Sequence, residues 1–188
     1  MKKSIGIREM IFPDPVMIVG TYGEDGRANA AAFAWGGTAS ADPAALSVAV
    51  RPSRYTYENI MLRKAFTVSL PSPEYVDECD YFGIVSGRDV DKFEKTGLTP
   101  VKGEFVDAPY VGEFPVNIEC EVSHVLDLGA HTLFIGEVRD VKVDEGLAGD
   151  IKGLWQSSRI LTYDSHALSY LLPGEEIAKA FSCGLRFK

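Results

Sequence analysis

Between a strand-like run ending at Val50 and a helix-like run beginning near Thr56, the chain reads Arg51-Pro52-Ser53-Arg54-Tyr55-Thr56. Two guanidinium groups and the hydroxyls of Ser53 and Thr56, within six positions, are the donors that hold a phosphate monoester. Guanidinium groups make charge-assisted, often bidentate hydrogen bonds to phosphate oxygens. A strand end followed by a helix start adds free backbone N–H groups and the positive end of a helix dipole. The same residues also fit an ordinary charged turn, with Arg51 and Arg54 solvated and Thr56 serving only as the helix cap.

A second group lies just upstream in "ANAAAFAWGGTASADP", residues 28 to 43. A run of small residues that includes Asn29 leads into Trp35, Gly36, Gly37 and Thr38, with Ser40 beyond. Small side chains leave room for something flat to lie against the strand, or for another backbone to pack closely. The glycines permit close approach to a ligand, Thr38 and Ser40 offer hydrogen bonds, and Trp35 offers a stacking face. A glycine loop beside a core tryptophan is the competing reading.

Other chemistries find no support. There is no GxSxG elbow, no HExxH and no Walker loop. His124, His131 and His166 have no metal-ligand spacing with acidic partners. Glu119 and Glu121 occupy the polar phase of a strand and are expected to be solvated. Cys79, Cys120 and Cys183 are far apart and odd in number, which suits idle thiols in a reducing cytoplasm better than disulfides or zinc.

The elements that would position these groups are mostly strands. "VMIVGTY" (16 to 22), "RANAAAF" (27 to 33), "ALSVAV" (45 to 50) and "AFTVSLP" (65 to 71) have strand length and composition, with "GEDG" turning between the first two. In 114 to 126, Val116, Ile118, Cys120 and Val122 alternate with polar residues, and 131 to 143 supplies a partner with a possible bulge at Gly136. Helices are expected over 56 to 64, with Thr56 as N-cap, and over 73 to 82 after Ser72-Pro73. A further helical turn closes at Gly97, and the chain becomes irregular after Asp144. Six or seven strands with a few inserted helices and no βαβ alternation predict a mainly β fold, an antiparallel barrel closed fully or in part.

At 188 residues, with 46% apolar and 24% charged, the chain is expected to form one globular domain over 1–188. The formal charge of −8 argues against nucleic acid or an anionic membrane as main partner. No apolar leader follows the N-terminal lysines, and no apolar run is long enough to span a membrane.

Taken together, "NAAAFAWGGTASADPAALSVAV", "RPSRYTYENI", "FTVSLP", "DKFEKTG", "APYVGEFPVNIECEV" and "HTLFIGEV" resemble, in the same order, the flavin reductase-like, FMN-binding split-barrel family and especially its flavoredoxin-like branch. The resemblance spans about residues 10 to 143. It implies an antiparallel split β-barrel with FMN in a groove formed largely by one subunit of a homodimer. Trp35, Gly36, Gly37 and Thr38 would follow the isoalloxazine edge, and Asn29 is counted with the cofactor-binding residues. Arg51, Ser53 and Thr56 would hold the phosphate, with Arg54 a weaker candidate, in agreement with the donors read above. Ser86, Gly87 and Lys92 match the next flavin-side segment. His131 matches a histidine near the flavin and the nicotinamide, though a strand-end histidine bonding a neighbour fits as well. The implied activity is a flavin-dependent oxidoreductase of the cytoplasm, with NAD(P)H or a redox protein as electron donor. A pyridoxamine-phosphate-oxidase-like oxidase and a non-enzymatic flavin-storage module are the alternatives.

Overall fold

The computed structural model describes residues 1–9, 11–149 and 152–187. Its strands are β1 (Asp14–Pro15), β2 (Met17–Tyr22), β3 (Ala28–Phe33), β4 (Gly36–Ala41), β5 (Ala44–Val50), β6 (Ala65–Leu70), β7 (Pro100–Lys102), β8 (Pro109–Val111), β9 (Val116–Asp127), β10 (Thr132–Val143), β11 (Thr162–Asp164) and β12 (Ser169–Leu171). Helices α1 (Tyr55–Arg63), α2 (Val76–Ile84), α3 (Lys92–Thr96) and α4 (Leu154–Ser157) are inserted among them.

Seven strands form one antiparallel sheet in the order β3-β2-β6-β9-β10-β5-β4. Its two edges, β3 and β4, are consecutive in sequence, joined by Ala34 and Trp35 alone. Three Cα steps from Phe33 to Gly36 span at most about 11 Å. The sheet must therefore curl until its edges meet, which makes it a split barrel rather than an open layer. The mainly β, antiparallel barrel expected from the sequence is borne out.

Both faces of β2 are buried, which explains its unbroken apolar run. Met17 and Val19 pack with Val48, Val50, Ile60, Phe66, Val68, Cys120 and Phe134. Ile18 packs on the other side with Ala30, Cys79, Phe82, Phe93 and Phe114, where α2 and α3 cover the sheet. Tyr57 and Met61 of α1 pack against the first cluster with Ile60, as their spacing requires. Gly136 lies at a register shift between β9 and β10. A Cβ there would fall 2.5 Å from Phe66 and 2.8 Å from Cys120, so only glycine lets the bulge close over the core.

Four local expectations are corrected. The Gly36–Ala41 segment is strand β4, not a loop; Asp42-Pro43 turns it back onto β5. Thr56 is not the N-cap: Arg54 holds that position, and Thr56 is buried in the first turn. The region after Asp144 is not wholly irregular, because β11 pairs with both β1 and β12. Glu119 is not solvated but wholly buried, while Glu121 is exposed and ion-paired to Arg139. The cause is the loop between β7 and β8, whose backbone N–H groups at Glu104, Phe105 and Val106 donate to the Glu119 carboxylate at 3.2, 2.7 and 3.2 Å.

Among the described residues the cysteines are free thiols, Cys79 and Cys120 buried and Cys183 exposed. Burial pushes the Cys79 thiol well above its ordinary range and Cys120 up to about 12, so both are inert near neutral pH. No group of residues suited to a metal ion, and no helix long and apolar enough to cross a membrane, occurs among the described residues.

Candidate functional site

A cavity of about 580 Å³ opens where three segments meet: the end of β3, the β5–α1 turn and the α2–α3 loop. Its volume is within the range of small-molecule and cofactor sites. Ala31, Ala32, Phe33, Ala34 and Trp35 form one wall. These are the small residues followed by an aromatic noted in the sequence, and they leave a shallow apolar surface for a planar group.

The opposite end is cationic. Arg51, Ser53, Arg54, Tyr55 and Thr56 line it together. An arginine at the N-cap of α1 offers no acceptor, and no side chain caps that helix. The Tyr57 N–H closes back on the Arg54 carbonyl, and those of Tyr55 and Thr56 are left for an anion. Arg88, from the α2–α3 loop, ties this turn down: it donates to the Ser53 carbonyl at 3.0 Å and to the Glu58 carboxylate at 2.6 Å, above the Tyr55 ring.

Lys92 is 3% exposed, yet it lines the cavity. Its Nζ donates to the carbonyls of Ala30 and Phe82 at 2.9 and 2.8 Å. An ammonium has three donors, and no carboxylate pairs with this one among the described residues. Burial, helped by the nearby Arg54 charge, pushes its pKa down to about 8. Asn29 presents the complementary case. Its Nδ2 donates to the hydroxyls of Thr21 and Thr56, while the buried Oδ1 has no partner among the described residues. Gly87 lies so close that a Cβ there would strike that oxygen. A buried cation without a counter-charge, an orphaned amide oxygen and an uncapped helix start all face one cavity. They fit a ligand with a flat polar body and an anionic end.

At the mouth, Arg51 Nε donates to His131 Nε2 at 3.3 Å, and the His131 ring leans on Trp35 with centroids 5.0 Å apart. Burial, then the Arg51 charge, holds the imidazole below its ordinary pKa. His131 is therefore neutral near pH 7, with its proton on Nδ1.

Of the residues singled out in the sequence, Asn29, Trp35, Arg51, Ser53, Arg54, Thr56, Ser86, Gly87, Lys92 and His131 come together at this cavity. Gly36, Gly37 and Thr38 do not line it. They pair with Val48, Ser47 and Leu46 of β5, and a Cβ on Gly36 would collide with the Ser47 carbonyl and the Met17 methyl. The close approach that Gly36 permits is to a neighbouring strand. Sequence reasoning missed Arg88, Tyr163 and Ser165, which also line the cavity. Arg88 follows directly on Ser86-Gly87 and was legible as a third arginine; Tyr163 and Ser165 arrive through the β1–β11 pairing, which has no local signal.

The architecture and the cavity define a split-barrel protein built to hold a planar, anionic ligand. The family model for the flavin reductase-like domain matches residues 8–168, and the chain belongs to that family. A flavoredoxin of Desulfovibrio vulgaris (Miyazaki F) superposes with a TM-score of 0.91 at 47% identity, over 98% of this chain and 100% of that one. The FMN-binding protein of Thermus thermophilus, with bound 1-cyclohex-2-enone, superposes with a TM-score of 0.78 at 26% identity, over 95% of this chain and 99% of that one. A protein of Aeropyrum pernix is 31% identical over 150 residues, which covers 79% of this chain. The match spans only 56% of that relative's own length.

Proposed function

We propose that this chain is an FMN-binding flavoprotein that passes electrons through the flavin. The observation that carries the reading is the cationic end of the cavity, where Arg51, Arg54 and the uncapped start of α1 meet a wall of small residues. The FMN-binding Thermus thermophilus neighbour and the flavoredoxin neighbour support the choice of ligand. Arg51, Ser53 and Thr56, with Arg54 in a lesser role, would hold the phosphate; Trp35 and the alanines of β3 would flank the ring. Ser86, Gly87 and Lys92 would bound its polar edge. Bound FMN supplies the redox chemistry, exchanging one or two electrons with donor and acceptor.

The chain's own residues set the conditions for that exchange. Lys92 holds a positive charge at the cavity wall, and a fixed cation in a site shielded from water favours the gain of negative charge beside it. His131, neutral and hydrogen-bonded to Arg51, carries a proton on Nδ1 at the mouth and would orient the incoming donor. The whole chain acts as one functional unit, paired with a second copy in the cytoplasm; two-fold pairs are the commonest assembly.

Whole-chain similarity to a flavoredoxin favours a carrier served by another redox protein over a reductase driven directly by NAD(P)H. The absorbance spectrum of purified protein, with the released cofactor identified by mass, tests the flavin itself. NADH oxidation then separates the two activities. A reductase turns over with free flavin or ferric complexes, whereas a carrier is reduced slowly by NADH and rapidly by a protein donor. Absence of any flavin after reconstitution would overturn the reading.

A further inference from the structure

Beyond the cationic end of the main cavity lies a second one, lined by Glu24, Asp25, Tyr55, Glu58, Asn59 and Leu62. Tyr55 belongs to both and is the partition between them. Arg88 crosses this partition. Its guanidinium centre sits 5.5 Å from the Tyr55 ring centroid, with one nitrogen on the Ser53 carbonyl of the first cavity and another on the Glu58 carboxylate of the second. A ligand extending from the phosphate end into the second cavity must break that bar. It would then meet Glu24, which is in no ion pair among the described residues, Asp25, whose Arg27 partner is 4.0 Å away, and Glu58 deprived of Arg88.

We infer that the Arg88–Glu58 bar and the acidic groove behind it restrict this site to flavin mononucleotides and exclude the dinucleotide FAD. The inference rests on the flavin reading above and adds its specificity determinant. A terminal phosphate ends against the cationic turn. In a dinucleotide the same phosphate is bridging and is followed by a second phosphate and an adenosine. Continued along this line, the second phosphate would run into carboxylates. Like charges at close range are costly, and discrimination built from repulsion against the competitor leaves affinity for the preferred ligand intact. Glu24 and Glu58 therefore contribute to selectivity without touching the mononucleotide.

The test is titration of the chain, freed of flavin, with FMN, FAD and riboflavin, read by calorimetry or flavin fluorescence. The parent is expected to bind FMN at least about a hundred-fold more tightly than FAD, a difference readily resolved on the affinity scale. Both glutamates are exposed, so Glu24→Gln/Glu58→Gln is expected to fold as the parent does, with glutamine still able to accept from Arg88. In that variant the FMN-to-FAD ratio should narrow by about ten-fold or more, with riboflavin affinity unchanged. Equal affinity of the parent for FMN and FAD, or an unchanged ratio in the variant, would overturn the inference while leaving the flavin reading intact. A parent that binds no flavin would overturn both.

Discussion

Lys92 and Glu119 are both buried ionisable groups, and their surroundings differ in kind. Glu119, wholly buried, accepts three backbone N–H groups and faces Lys142 Nζ at 3.2 Å. Its charge is answered within the chain. Lys92, 3% exposed, has two backbone carbonyls and no carboxylate, and lies against a cavity. Buried charges are tolerated when paired and hydrogen-bonded, and are costly otherwise. A charge answered by its own chain is a fastening, here pinning the β7–β8 loop over β9. A charge left incomplete at a cavity wall points to a partner from outside. Arg51 faces the same cavity from the exposed rim, with its Nε on the His131 ring and no ion pair among the described residues.

The largest expected effect is on the fastening. Glu119→Ala strands three N–H groups, while Lys142 keeps its Asp140 and Glu104 partners. An unsatisfied buried donor costs about 1–3 kcal/mol, so the three together are expected to cost about 3 kcal/mol or more. Chemical denaturation should show that loss, while the fraction that remains folded keeps its parental flavin affinity. A cost below about 1 kcal/mol, the level of an exposed pair, would erase the distinction between the two charges. Glu119→Gln, which retains an acceptor, should fall between the parent and the alanine variant.

Next comes the ligand-facing side. A charge-assisted hydrogen bond is worth about 1.5–3 kcal/mol, so Arg51→Ala should weaken FMN roughly ten- to a hundred-fold. Riboflavin, which lacks the phosphate, should bind as before. Equal losses for both ligands would show that the turn is merely damaged, and unchanged FMN affinity would return it to a charged turn before a helix.

Lys92 sharpens the comparison through pH. Its pKa falls from 10.5 unfolded to about 8 folded. Between those values the unfolded chain binds more protons, so stability of the ligand-free protein rises with pH from about 8 towards 10.5. Flavin affinity should move the other way, falling up to about ten-fold as the ammonium at the cavity wall is lost. Lys92→Met should flatten both profiles without loss of stability at neutral pH, because an apolar residue of similar volume removes the burial penalty. A parental stability curve flat above pH 8 would mean that Lys92 is better compensated than its hydrogen bonds suggest.

Much of this was legible in the sequence, and the failures have physical causes. β2, β5, β6, β9 and β10 declare themselves because each buries at least one regular face. β4 did not, because Gly36 and Gly37 read as a loop, while their strand exists through pairing with β5. Period two in β9 locates its apolar face, but the same pattern predicts a solvated opposite phase. A loop from about fourteen residues upstream covers Glu119, and nothing local announces it. The cationic turn was visible because three of its members are nearly adjacent. The partners that complete the cavity were harder, since Arg88 is 35 residues from its Ser53 contact and Tyr163 depends on a strand pairing across most of the chain.

The smallest expected effect is at His131, where the two kinds of site meet. The ring accepts from Arg51 and leans on Trp35, so it could serve either as part of the fastening or as a group that acts on what enters. Its pKa is held below 6.5, by burial first and then by Arg51. Lowering the pH through that range protonates Nε2, breaks the bond and sets two cations side by side. The unfolded chain then binds more protons, and stability falls with pH. His131→Ala removes this penalty and releases Arg51 for the phosphate, so FMN content should stay near the parental level. If the imidazole orients the electron donor, flavin reduction should slow about three- to ten-fold in stopped-flow, well below the loss typical of removing a general acid or base. His131→Asn, which retains a hydrogen-bonding group on a shorter side chain, should recover part of the rate. An unchanged reduction rate, with Arg51 still holding FMN, would assign His131 to the fastening and leave the arginine turn and Lys92 as the groups that face the ligand.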